Sequence, residues 1–335
     1  MNNKSKLFLV TGGCGFIGSH MVDKLIKLNH KVIVIDNLSG GFLKNIKLHL
    51  ESKKLIFLKK NIKDLKKSSL LDKVEYVFHF AGKGDIVPSI EKPYEYFFNN
   101  VHLTLKLLTI LNIKKIQKFV YAASSSCYGL AKTPTNETNP INPLYPYALS
   151  KYQGEQLVMH WHKVYKLKCN SLRIFNAYGP RVKTTGAYGA VFGVFFKQLL
   201  ENKPLTIVGN GKQKRDFIYV TDLVDAFYEV AIKKNNYGEI YNLGSGKPQS
   251  INKLAGLING KKRVYLPSRP GEPKITYANI DKIVKKIGWK PKVPFNLGVK
   301  EMLSNIDYWK NAPLWNKSKI NKATKIWFKY MSKYE

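Results

Sequence analysis

Eight residues, Thr11-Gly-Gly-Cys-Gly15-Phe-Ile-Gly18, narrow the choice of fold more than any other stretch of the chain. They follow a short apolar run, Leu7–Val10, and precede a helical pattern from Ser19 to Leu28. A second apolar run, Lys31 to Asp36, then ends in an acid. Strand, glycine-rich turn, helix, strand and acid together form the context in which such glycines bind a dinucleotide. Gly12 and Gly15 let the backbone approach a pyrophosphate, and Gly18 lets the helix pack closely on its strand. The helix amino terminus faces the phosphates. Asp36 accepts from ribose hydroxyls and repels a 2′-phosphate, which selects NAD over NADP.

The pattern repeats down the chain. Leu55–Leu58 reads as a strand with Asn61 and Ile62 at its end, and Tyr76–Phe80 as another, running into Ala81-Gly82. Pro93–Leu111 reads as a helix carrying Asn99 and Asn100. Phe119–Ala123 and Ser171–Phe175 are further strands, the second ending at Asn176. Alternating strands and helices predict an α/β fold, a Rossmann-type doubly wound parallel sheet with a smaller mixed α/β substrate-binding lobe. The expected division is an NAD-binding domain over 1–175, with 215–246 returning to it. The lobe takes 176–214 and 247–310, and 311–335 forms a basic helical tail that reads as an appendage.

A third signal lies at 119–151. Strand Phe119–Ala123 stops in Ser124-Ser125-Ser126, at the edge where open α/β sheets place ligands. After a proline-broken loop, Tyr147-Ala-Leu-Ser-Lys151 opens a helix, so Tyr147 and Lys151 share one face. A phenol titrates near ~10 and is a poor base at neutral pH. An ammonium one turn away is expected to lower that value, while a strand-end hydroxyl shares the substrate's proton.

Composition limits the alternatives. The net charge is +34, but the lysines are spread from end to end rather than set in a stripe, so no nucleic-acid partner is expected. Arginine is confined to 173, 181, 215, 263 and 269; where lysine is this abundant, a retained guanidinium suggests bidentate contact, for example with phosphate. No apolar run approaches the ~20 residues of a membrane span, and no secretory leader is apparent, so no membrane partner is expected. Cys14, Cys127 and Cys169 follow no disulfide or zinc spacing, which suits a cytoplasmic protein without a metal.

In combination, TGGCGFIGS, Asp36-Asn37, HFAG at 79–82, NNV at 99–101, SSSCYG at 124–129, YPYALSK at 145–151, RIFNAYGP at 173–180, RDFIYVTD at 215–222 and RPGEP at 269–273 carry a resemblance. The chain resembles the extended short-chain dehydrogenase/reductases, particularly nucleotide-sugar epimerases of the UDP-galactose 4-epimerase type, from about Leu7 to about Trp309. The resemblance implies that Gly12, Gly15, Phe16, Ile17 and Gly18 hold the NAD pyrophosphate and Asp36 and Asn37 the adenosine ribose. Asn61 and Ile62 would contact adenine, and Phe80, Ala81, Gly82 and Asn99 would line the cofactor. Ser124, Tyr147 and Lys151 would be the catalytic group. Ser125, Ser126, Asn176, Arg215, Arg269, Glu272 and Thr276 would face a nucleotide-sugar substrate.

Within such a family Tyr147 takes a proton from the sugar C4 hydroxyl while C4 gives hydride to NAD. A 4,6-dehydratase then needs an acid and a base near C5 and C6, usually directly after the catalytic hydroxyl. Ser125 and Ser126 stand there, which predicts rotation of the ketose and return of the hydride, a 4-epimerisation. Thr276, small where plain-hexose enzymes often carry an aromatic, predicts acceptance of N-acetylhexosamines beside glucose and galactose. Two other readings stay open: a dehydratase or other 4-oxidising relative, and a non-catalytic NAD-sensing or nucleic-acid-binding protein. A homodimer is expected through the helices Pro93–Leu111 and Tyr147–Val164, where Phe97, Leu107 and Trp161 exceed what one buried face needs.

Overall fold

The computed structural model describes residues 5–182 and 191–334; the rest of the expected lobes lies outside the described residues. Its centre is a seven-stranded, wholly parallel sheet. The strands are β1 (Leu7–Thr11), β2 (Lys31–Asp36), β3 (Leu55–Lys59), β4 (Tyr76–His79), β5 (Lys118–Ser124), β6 (Cys169–Ile174) and a last strand, Glu239–Leu243. Their spatial order is Glu239–Leu243, β6, β5, β4, β1, β2, β3. The order reverses between β1 and β4, and the crevice at their carboxyl ends is the position where such sheets bind ligands.

Continuous apolar runs suit strands covered on both faces. In β1, Phe8 and Val10 pack with Met21, Val22 and Leu25 of helix α1 (Phe16–Lys27) and with Leu223 and Phe227 of the helix Val220–Ile232. Leu9, between them, points the other way and meets Leu107 and Val158. All three β1 side chains are fully buried, each contributing about 1.5–3 kcal/mol over exposure. The expected α1 began at Ser19; it begins at Phe16, because the turn after Gly15 is already helical.

The expected helix Pro93–Leu111 is two α-helical pieces, Pro93–Phe97 and Leu103–Ile110, joined by a π turn at Phe98–His102. Leu107, counted towards an intersubunit face, is instead fully buried in this core. Beyond β6 a second cluster gathers Phe192, Phe195, Phe196, Ile207, Leu254, Met302 and Trp309 around three short two-stranded ladders. The tail is helical over Lys317–Met331, but it is no appendage. Ile320, Thr324, Trp327 and Met331, spaced three or four apart, are buried against this second cluster while the lysines between them face solvent.

Candidate active site

One cavity of about 1030 Å³ runs from the glycine-rich turn to the Arg269–Thr276 segment. At its first end, Gly12 adopts φ +70°, and a Cβ there would lie 2.8 Å from the Ala81 nitrogen. A Cβ on Gly18 would lie 2.2 Å from the Gly12 carbonyl oxygen, so the turn tolerates only glycine at both places. Helix α1 starts with no side-chain cap and no acid in its first turn, leaving its amide donors aimed at the cavity lined by Gly15, Phe16 and Ile17. The Asp36 carboxylate accepts the Cys14 N–H at 2.9 Å and the Leu38 N–H at 2.8 Å. It thus ties the end of β2 to the turn and keeps lone pairs for a ribose. Burial raises its pKa, and the two N–H bonds pull it back. Asn37, Asn61, Ile62, Phe80, Ala81, Gly82 and Asn99 line the same part of the cavity. Asn61 also caps the turn Ile62–Asp64 by accepting the Lys63 N–H. A glycine cradle, uncapped helix amides and a strand-end carboxylate fit a dinucleotide.

The reacting end is built by β5 and the helix Pro146–Tyr165. Ser124 is the last residue of β5, and its Oγ accepts the Ser126 N–H at 3.2 Å. Tyr147 sits in the first helical turn, where Pro146 supplies a preset φ. Its ring meets Tyr96 edge-on at 6.3 Å, and its phenol lies near enough to the Ser124 hydroxyl for that group to lower its pKa. Lys151 is buried one turn on, with Nζ 4.5 Å from the centre of the Tyr121 ring.

The expected effect of Lys151 on the phenol is corrected. Burial drives the Tyr147 pKa upwards, the nearby Ser124 hydroxyl pulls it down, and the Asp85 carboxylate raises it again. Burial likewise lowers Lys151 to about 7, partly offset by Glu155. Its pKa when unfolded is 10.5. Between these values the unfolded chain holds a proton that the folded one lacks, so stability should rise with pH from about 7 to about 10.5. Urea melts of the cofactor-free protein and of Lys151→Met across that range should diverge accordingly; parallel curves would contradict the assignment.

Sequence reasoning placed Asn100 beside Asn99 on the expected helix Pro93–Leu111 but gave it no role. Its Oδ1 accepts the Lys83 N–H at 2.8 Å, and its Nδ2 donates to the Lys83 carbonyl at 3.1 Å and to Ser150 Oγ at 3.0 Å. One buried amide therefore fixes the loop after β4 to the catalytic helix. The polar Asn pair inside an apolar helix was its only sequence signal. Arg173 was grouped with phosphate-binding arginines, yet its fork closes on Glu155, with Nε–Oε2 at 3.0 Å and Nη2–Oε1 at 2.6 Å. It lies in β6, on the core side of the catalytic helix. Ser125 and Ser126 put no acid directly after Ser124, but Asp85 lines the cavity close enough to raise the Tyr147 pKa.

At the far end, Arg215 and Arg269 flank Glu272, with guanidinium-to-carboxylate distances of 3.7 and 3.4 Å. Arg215 donates to the Pro273 carbonyl at 2.8 Å, and burial lowers its pKa. Thr276 Oγ1 donates to Asn176 Oδ1 at 2.8 Å and accepts the Asp216 N–H at 3.0 Å. Ser125, Ser126, Asn176 and Thr276 all line the cavity. Arg181 lies apart from this group and pairs with Asp23 at 2.8 Å.

The profile of the NAD dependent epimerase/dehydratase family matches residues 8–244. The chain belongs to this family. A putative UDP-glucose 4-epimerase of Methanocaldococcus jannaschii is 37% identical, with 89% of this chain and 97% of that one aligned. A UDP-glucuronic acid 4-epimerase from Bacillus cereus, solved with UDP-glucuronic acid and NAD, superimposes with a TM-score of 0.84 at 33% identity, covering 91% and 99% of the two chains. The dTDP-D-glucose 4,6-dehydratase of Bos taurus is 31% identical over 92% of each chain. Membership makes this chain an NAD-dependent enzyme of nucleotide-sugar chemistry, with the extended short-chain dehydrogenase/reductase fold expected of it. Among the described residues, no helix is long and apolar enough to cross a membrane.

Proposed function

We propose that the protein is a nucleotide-sugar 4-epimerase. The observation that carries this reading is the pair Ser125-Ser126 directly after Ser124, facing the cavity where a dehydratase needs an acid and a base. The glycine turn, Asp36, Asn37, Asn61, Ile62 and Lys151 would hold NAD. When bound, NAD supplies a reversible hydride acceptor and a positive charge beside the tyrosine. Tyr147 takes the proton of the sugar C4 hydroxyl, and Ser124 orients that hydroxyl through its own. The added positive charge opposes the upward effect of burial on the phenol. Asn176, Arg215 and Arg269 hold the diphosphate, and Glu272 meets the nucleotide ribose. The 4-ketose then turns to present its other face to the returning hydride, and Tyr147 gives its proton back to the C4 oxygen.

Incubation with a panel of UDP-, dTDP- and GDP-sugars should yield 4-epimers without loss of water. Asp85 favours one second reading, dehydration, and accumulation of 4-keto-6-deoxy sugars would establish that reading and remove the first. The proposed substrates are UDP-glucose/galactose and UDP-N-acetylglucosamine/galactosamine. Thr276→Tyr should lower N-acetylhexosamine turnover at least about tenfold, the scale on which a filled pocket rejects a bulky group, while sparing the plain hexose. Equal loss of both would instead trace to the broken Thr276–Asn176 bond. A cytoplasmic homodimer is part of the same proposal, with Phe97 and Trp161 half-buried on the helices expected to pair. Sedimentation of the purified protein checks it.

A further inference from the structure

The helix Lys317–Met331 follows the stretch that carries the family resemblance, and it reaches into the site from outside that stretch. Trp327 is 2% exposed, yet with Ala323 it forms part of the cavity wall. Its indole Nε1 donates to the Pro270 carbonyl at 2.9 Å. The same ring lies 5.5 Å from Tyr145, two residues before Tyr147 on the cavity wall. One turn further, Met331 approaches Gly271 so closely that a Cβ there would lie 2.6 Å from its terminal methyl. Gly271 has φ +72°, a conformation that L side chains rarely adopt.

Pro270 and Gly271 are the residues between Arg269 and Glu272, and Tyr145 and Ser126 flank Tyr147 and Ser124. Trp327 thus touches the backbone carrying the guanidinium–carboxylate group and, through Tyr145, the entry to the helix that carries the reacting phenol. A buried N–H aimed at one carbonyl has one favourable arrangement, so docking of this helix fixes where the Arg269–Glu272 turn sits.

We propose that the carboxy-terminal helix is part of the substrate site, with Trp327 a positioning residue that sets the nucleoside-diphosphate grip and its alignment with Tyr147. The inference rests on the nucleotide-sugar reading above. It predicts a defect confined to substrate, because no part of the glycine-rich turn touches this helix among the contacts described.

The test uses full-length Trp327→Phe, which keeps a ring but loses the donor, and Met331→Ala, which loosens the seat of Gly271. UDP affinity by calorimetry, NAD affinity, KM, kcat and thermal melting are measured on each. Both variants should bind UDP and show KM for the sugar nucleotide about five- to twentyfold worse, the scale of one buried hydrogen bond, with NAD affinity unchanged. Melting shifts with unaltered UDP affinity and KM in both variants would make the helix a stabilising element only and overturn the inference. Parallel weakening of NAD and UDP would overturn it too, as a sign of general loosening. If the parent protein takes up NAD but binds no UDP, dTDP or GDP, the nucleotide-sugar reading itself fails.

Discussion

Tyr147→Phe should lower kcat by about a thousandfold, within the range that loss of a positioned general acid–base produces, while the protein stays folded and takes up NAD as before. The ring can remain edge-on to Tyr96, since only the hydroxyl is removed. Ser124→Ala should cost less, about ten- to a hundredfold, because the phenol still reaches the sugar hydroxyl unaided. Single-turnover reduction of bound NAD on adding a sugar nucleotide reports the proton-coupled step directly. A Tyr147→Phe enzyme that reduces its cofactor at the parental rate would remove the phenol from the mechanism altogether.

The second large effect concerns stability. Glu155 is fully buried and Arg173 nearly so; Ser171 also donates to Glu155 at 2.9 Å, and Arg173 donates to the Tyr128 hydroxyl at 2.8 Å. Replacing Arg173 by Met leaves an uncompensated carboxylate in the core, which should cost about 3–5 kcal/mol in urea unfolding. Arg173→Lys keeps the charge but not the fork, and should recover only part of that loss. The double variant Arg173→Met with Glu155→Leu should recover most of it, because no buried charge remains unpaired. If the single substitution cost under 1 kcal/mol, water would have to reach Glu155 in the native state.

The strands and the glycine turn were legible because their signals are local. A run such as Lys31–Asp36 declares a doubly covered strand by its apolar continuity, and its terminal acid declares the turn it faces. What stayed hidden depends on contacts between distant residues. Nothing near Arg173 in the chain says that its partner is a glutamate on another element rather than a phosphate. Nothing in the spacing of Tyr147 and Lys151 says how deeply they are buried, and burial is what decides both of their pKa shifts. Trp327 carried only the signal of a tryptophan in a lysine-rich segment. Its significance needs Pro270, fifty-seven residues earlier, to be beside it. The π turn was equally invisible: the weak helix formers of Phe98–His102 say nothing about which hydrogen-bond spacing the backbone takes there.

The strand Glu239–Leu243 joins the sheet by pairing with β6, and Asn242 within it accepts from the Tyr128 hydroxyl at 2.7 Å. During synthesis, therefore, six strands are available long before the seventh emerges from the ribosome. Until then β6 presents an unprotected row of amides and carbonyls to any neighbouring nascent chain. A stop or pause ahead of Leu243 would release a sticky intermediate carrying a complete glycine turn, and early dinucleotide capture by that turn would favour productive folding over aggregation.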